Sequence, residues 1–254
     1  MNDRPRKASR LAPAATFIGF LVTWEVAVRL GWISALFFPS PGAIWISLVK
    51  LIGTGALISA TGVTLMRFAA GLIAGSVLGA LLGLMMGWWP PLNAFLDPFV
   101  AAIYPIPKIA IFPLLMIMFG IGEGSKFAAI LLTAFFPMLV TSLAGVRQIS
   151  RIYFEVGKNY GARGTTVFTH ILLPGSLPSI LAGVRLSTNI AFVIAISVEM
   201  ISARNGLGVL LFLSWQTFRV SDLYAVLLVI ALWGLLLNYA IAYLTRALVP
   251  WVGE

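Results

Sequence analysis

The chain has 254 residues, of which 60% are hydrophobic and only 10% charged, and its mean hydropathy is +1.01. A soluble domain carries about 25% charged residues, so this composition excludes an ordinary water-soluble fold and places the chain among membrane proteins. It has no cysteine and a single histidine, His170, which excludes disulfide staples, thiol catalysis and a histidine metal cluster; the net charge of +9 points to basic cytoplasmic loops rather than to a nucleic-acid partner.

Residues 1–10 carry Arg4, Arg6, Lys7 and Arg10 and read as a basic cytoplasmic tail. The apolar run that follows ends in Val28-Arg29-Leu30-Gly31-Trp32. It has no small-residue cleavage site, so it reads as a retained first helix rather than a signal peptide. Crossing a bilayer takes about 20 apolar residues. Spans are expected at 11–30, 64–88, 95–120, 127–146, 180–201 and 223–244, giving an all-α membrane protein with about six transmembrane helices. They form one transmembrane domain, residues 11–246, and residues 247–254 read as a C-terminal tail. Six spans put both termini on one side. The tail and the 147–163 stretch (Arg147, Arg151, Lys158, Arg163) then share a face, which the positive charge marks as cytoplasmic. Arg29, Lys50, Lys126, Arg204 and Arg219 remain on the other face, so the bias is moderate.

Between the first two spans, Pro39-Ser40-Pro41-Gly42 opens a moderately apolar segment, with Ser40 a candidate N-cap. It reads as an interfacial helix. In the second span Gly71, Gly75, Gly79, Gly83 and Gly87 recur every four residues. That spacing predicts a face along which another helix approaches closely, within or between subunits. The third span contains Pro98, Pro105, Pro107 and Pro113 together with Lys108, which no straight helix accommodates. Broken backbone at membrane depth needs protein or a water-filled cavity around it. The segment is therefore either a pathway wall or a re-entrant turn packed in protein.

Residues 147–178 interrupt the apolar pattern. Tyr153 to Lys158 starts a helical stretch, Gly161 falls at a glycine corner, and helical periodicity resumes over 165–172. Glu155 is placed near that helix's N-terminus, and Pro174 and Pro178 mark entry to span five. Such a projecting elbow suits a soluble partner, although Glu155 alone would also serve as a helix cap. Lys158 and Arg163 suit either that partner or anionic lipid head groups. Ionisable groups at lipid depth are Arg67, Lys108, Arg185 and Glu199, the last two close enough to span ends to snorkel. Candidate pathway-lining residues are Lys108, Thr133, Thr141, Ser187, Asn189 and Glu199; the hydroxyls among them have backbone carbonyls of their own helices as competing partners. Trp24, Trp32, Trp88, Trp89 and Trp251 read as interface anchors.

The loop's spacing, Glu155 to Gly161 and then Ile171-Leu172-Leu173-Pro174, resembles the EAA loop of bacterial ABC importer permeases. The motif's two alanines are replaced by Val156 and Gly157. Further stretches are similar to the nitrate/sulfonate/taurine branch of that family: Phe38-Pro-Ser-Pro-Gly42, Tyr104-Pro-Ile-Pro-Lys-Ile-Ala110, Phe119-Gly-Ile-Gly-Glu123, Gly183-Val-Arg185, Val198-Glu-Met200 and Gly206-Leu-Gly208. The resemblance implies a type I ABC importer permease fold with a cytoplasmic coupling helix, in the bacterial inner membrane with cytoplasmic termini. It implies that Glu155, Val156, Gly157, Gly161, Ala162 and Arg163 meet a cytoplasmic ABC ATPase subunit, and that Ile171, Leu173 and Pro174 are structural. It also implies a periplasmic or lipid-anchored substrate-binding protein, a second copy of the chain, and a small anionic solute of sulfonate, taurine or nitrate type. The chain has no Gly-x-x-x-x-Gly-Lys-Ser/Thr phosphate loop. It is thus expected to be no enzyme and to bind no cofactor, with ATP and Mg held by the partner ATPase. An ion-coupled secondary transporter is the alternative. A membrane-embedded enzyme is disfavoured, because no paired carboxylates or nucleophile–base set stands out.

Overall fold

The structure is a computed structural model that describes residues 8–250, with side chains from Ala15 onward. Most of the expected N-terminal tail and the end of the C-terminal tail, including Trp251, lie outside the described residues. The described elements are α1 (Ala8–Arg29), α2 (Pro41–Gly53), α3 (Ala56–Trp88), α4 (Pro90–Ile103), α5 (Lys108–Phe119), α6 (Glu123–Gln148), α7 (Arg151–Asn159), α8 (Thr165–Val167), a π turn (Phe168–Leu172), α9 (Leu173–Ser202), α10 (Leu207–Gln216) and α11 (Val220–Leu248). No strand occurs among the described residues.

Four helical stretches are long and apolar enough to cross a bilayer: α3, α6, the continuous run from α8 through α9, and α11. The pair α4 and α5 is a fifth span if its 101° bend is one broken crossing. The first expected span corresponds to α1, a helix of 22 residues. α3 begins at Ala56, ahead of the expected Thr64, and runs for 33 residues, because nothing between Gly55 (φ +73°) and Trp88 breaks it.

The chain divides into two compact units, residues 1–59 with 210–230 and residues 60–209 with 231–254. In the first unit, Ser40 caps α2 as the sequence predicts, its Oγ accepting the Ala43 N–H at 3.3 Å, with Pro41 in the first turn. The Glu25 carboxylate accepts the Gly42 N–H at 2.8 Å and the Arg29 Nε–H at 2.6 Å. Ser47 donates to Asp222, and Tyr224 donates to the Phe37 carbonyl at 3.2 Å, tying α2 and the loop before it to α11.

In the second unit the glycine stripe of α3 lies against α6. A Cβ added at Gly75, Gly79 or Gly83 would collide with the backbone carbonyls of Leu131, Phe135 or Leu139, and one at Gly71 or Gly87 with Ile130 or Val146. The close approach is therefore within one chain. α6 in turn packs on α9, where Gly145 faces Ser176 and Ser179 and Gly183 faces Thr141. Apolar clusters fill the remaining space, one around Phe112, Leu115, Ala129 and Val198 and another around Met86, Leu139 and Leu143.

The four prolines of the third expected span divide between two settings. Pro98 and Pro113 sit inside α4 and α5, while Pro105 and Pro107 occupy the break. A broken helix leaves carbonyls without partners. Lys108 collects them: its ammonium donates to the carbonyls of Ile103 (2.9 Å), Tyr104 (3.1 Å) and Ile106 (2.9 Å) and lies 4.5 Å from the centre of the Phe136 ring.

Candidate coupling elbow

α6 ends at Gln148, and extended backbone at Ile149 and Ser150 redirects the chain into α7. α7 is a nine-residue helix. It starts at Arg151, two residues before the expected Tyr153, and has no acidic residue in its first turn. Glu155 is therefore in the second turn rather than at the N-terminus, and its exposed carboxylate is not a helix cap.

The corner has the hydrogen bonds of a Schellman motif. Gly161 (φ +77°) donates to the Lys158 carbonyl at 3.0 Å, and Ala162 donates to the Gly157 carbonyl at 2.8 Å. The left-handed position favours glycine because a Cβ crowds the carbonyl there. Gly164 (φ +49°) makes a second bend before α8. The helix then continues through the π turn, where Leu173 N–H reaches back to the Phe168 carbonyl, into α9. Pro174 lacks an N–H and clashes with the carbonyl four residues earlier in a regular α-helix. Widening by one residue just before it keeps the helix continuous, so Pro174 marks a change of helix type and not the start of a separate helix.

The elbow's inner side is fixed. A Cβ at Gly157 would lie 2.6 Å from Ile171 Cδ1, so the glycine leaves room for the Ile171 side chain. Leu172 is fully buried against Leu84 and Val146, and Phe168 packs on Trp88 with ring centres 5.8 Å apart. Leu173 is partly exposed and Pro174 half-buried. The outer side is bare. Ile152, Tyr153, Val156 and Tyr160 are exposed, Tyr160 at 89%, beside exposed Glu155, Lys158 and Arg163. An exposed mix of aromatic, aliphatic and charged side chains on a nine-residue helix suits a protein partner. His170 is exposed and, among the described residues, pairs with the neighbouring Thr169 hydroxyl at 2.8 Å.

Roughly 30 Å away along α3, the same unit contains a polar network. Arg67 makes two bonds to Glu123, one at 2.7 Å from Nη2, and donates from Nη1 to Glu199 at 2.8 Å and to the Asn205 carbonyl at 2.6 Å. Glu199 is 1% exposed; it also accepts from Thr64 Oγ1 and, at 3.0 Å, from the Gly208 N–H. The Thr64 hydroxyl accepts the Leu207 N–H at 2.9 Å. Glu199 therefore does not snorkel but anchors the Gly206–Gly208 turn. Three stretches that carried the resemblance, ending in Glu123, centred on Glu199 and spanning Gly206 to Gly208, meet here. Arg67 joins them, and its only sequence signal was a charge at lipid depth.

The other candidate pathway residues separate into two groups. Thr133 donates to Ala129 O (2.7 Å) and Thr141 to Pro137 O (2.9 Å) within α6, while Ser187 of α9 donates to Ala134 O of α6 (3.0 Å), so only Ser187 bonds across the two helices. Asn189 stands on an exposed face. No cluster of three or more metal-ligating side chains occurs among the described residues.

Residues 75–254 match the family model described as the inner membrane component of binding-protein-dependent transport systems. The taurine transport system permease protein TauC of Escherichia coli K12 is 32% identical over 94% of this chain and 89% of its own length. The putative aliphatic sulfonates transport permease protein SsuC of the same organism is 31% identical over 95% of this chain and 92% of its own. Among solved structures, a chain of the MetNI methionine ABC transporter in an inward-facing conformation superposes with a TM-score of 0.67 at 17% identity, covering 77% of this chain and 97% of that one.

Proposed function

The chain belongs to the inner membrane component family of binding-protein-dependent transport systems, and from that premise we propose how it works. It is a multi-pass permease subunit of an ABC importer and not an enzyme. Cytoplasmic ABC ATPase subunits, which hold the ATP and Mg, seat on the outer face of α7. A periplasmic or lipid-anchored binding protein delivers the solute to the opposite side. A second copy of the chain completes the pathway across the bacterial inner membrane, with both termini cytoplasmic. The solute is a small anion of sulfonate, taurine or nitrate type, a reading supported by the names of the two relatives above.

The observation that carries this reading is the asymmetry of the elbow. Gly157 closes on Ile171 within it, and Leu172 and Phe168 seat its inner side against α3, α6 and α9, whereas its outer side offers exposed apolar and charged residues. A rigid lever with one free face transmits a partner's motion. An ion-coupled carrier has less support, since Glu199, the acid inside α9, is held by Arg67, Thr64 and Gly208. The test is uptake of labelled taurine and methanesulfonate by proteoliposomes containing the permease, its ATPase and its binding protein. Uptake should require internal ATP and the binding protein. Uptake that persists without ATP and follows a proton gradient would establish the ion-coupled carrier instead.

A further inference from the structure

Arg185 lies one helical turn before Asn189 on α9, so the two side chains share a face. Both are exposed, and among the described residues no hydrogen bond or ion pair engages the Arg185 guanidinium. The Asn189 carboxamide oxygen accepts the Asn238 Nδ2–H at 2.9 Å, and the same Asn238 nitrogen donates to the Gly234 carbonyl at 2.9 Å. That pairing fixes the Asn189 amide with its oxygen engaged and its N–H groups free. The free donors here are thus a guanidinium and an amide, side by side.

The same face also exposes the apolar Leu186, Ile190 and Val193, and it lies within the membrane-crossing stretches containing α9 and α11. Roughly 26 Å of helix separates Arg185 from Ser202. An unpaired guanidinium and a half-satisfied amide are strongly disfavoured in hydrocarbon, and such groups normally face a water-filled cavity. We propose that this face lines the solute pathway and that Arg185 and Asn189 form a transient station for a small oxyanion, of the sulfonate class or an isostere. The anion class rests on the importer reading above. A guanidinium offers two parallel N–H donors at the spacing of two sulfonate oxygens, and the Asn189 amide offers a third. The station is open on one side, as a conduction site must be if the anion is to leave.

The chain has no cysteine, so Asn189→Cys introduces a single thiol. Vesicles carrying the assembled transporter, permeabilised to open both faces, are treated with a sulfonate-bearing methanethiosulfonate and with its trimethylammonium counterpart. The thiol is expected to react with the anionic reagent about tenfold faster, with the preference lost in Arg185→Gln and kept in Arg185→Lys. Should Asn189→Cys insert poorly, Val193→Cys, one turn further along the same face, gives the same readout. A thiol that reacts with neither charged reagent overturns the proposal, whether it is masked by lipid or because Arg185 reaches a lipid head group instead. Equal rates that ignore Arg185 also overturn it. The readout is labelling, so either failure leaves the importer reading intact; that reading fails on its own uptake experiment.

Discussion

Gly157 and Gly161 do different work within one short helix. Gly161 supplies a left-handed turn, and its replacement by alanine is expected to cost about 1 kcal/mol in the elbow alone. Gly157 supplies room for Ile171. Gly157→Ala should push that side chain aside at about 1–3 kcal/mol, and pairing it with Ile171→Val should recover part of the loss, read as thermal midpoints in detergent. The charged network behaves differently. Arg67→Ala leaves Glu199 buried without its cation and should destabilise the permease by about 3–5 kcal/mol. Adding Glu199→Gln should be less damaging than the sum of the two single changes, which a double-mutant cycle measures. Gly161 was legible in the sequence because a glycine corner is local. The network was not, because the bonds of Arg67 reach residues 56 to 138 positions away, and sequence alone shows only isolated charges.

At the scale of elements, the glycine stripe of α3 was legible as a packing face, since a four-residue period states which side of the helix is small. Its partner was not, because nothing in that period distinguishes α6 of the same chain from a helix of another copy. Gly79→Ala should force α3 away from the Phe135 carbonyl, at about 1–3 kcal/mol. Alanine at the exposed Gly62, where an added Cβ meets nothing, should be neutral or slightly stabilising in the same unfolding assay. The broken third span was likewise visible in its prolines. The clamp of Lys108 over the break was not, for a lysine beside prolines reads equally as a pathway charge. Lys108→Met removes three charge-assisted bonds and is expected to lower stability by about 2 kcal/mol, with no change in which solutes are carried.

Over the whole molecule, the proposed function makes this chain a transmitter. In the proposed role a partner's motion enters at α7, passes through the α3–α6–α9 packing of residues 60–209, and reaches the α9 face proposed to bear the anion station of Arg185 and Asn189. The fold class and the elbow followed from hydropathy and from one polar interruption, while the tertiary bonds that stiffen the transmitter came only from the structure. The most direct test is co-purification of the ATPase with the permease, alongside stimulated ATP hydrolysis, for wild type, Glu155→Ala and Gly161→Asp in one membrane preparation. Both variants are expected to insert and fold normally, with ATPase recovery or substrate-stimulated hydrolysis reduced, most severely for Gly161→Asp. Variants that keep a full complement of ATPase and unchanged stimulation would contradict the proposed function.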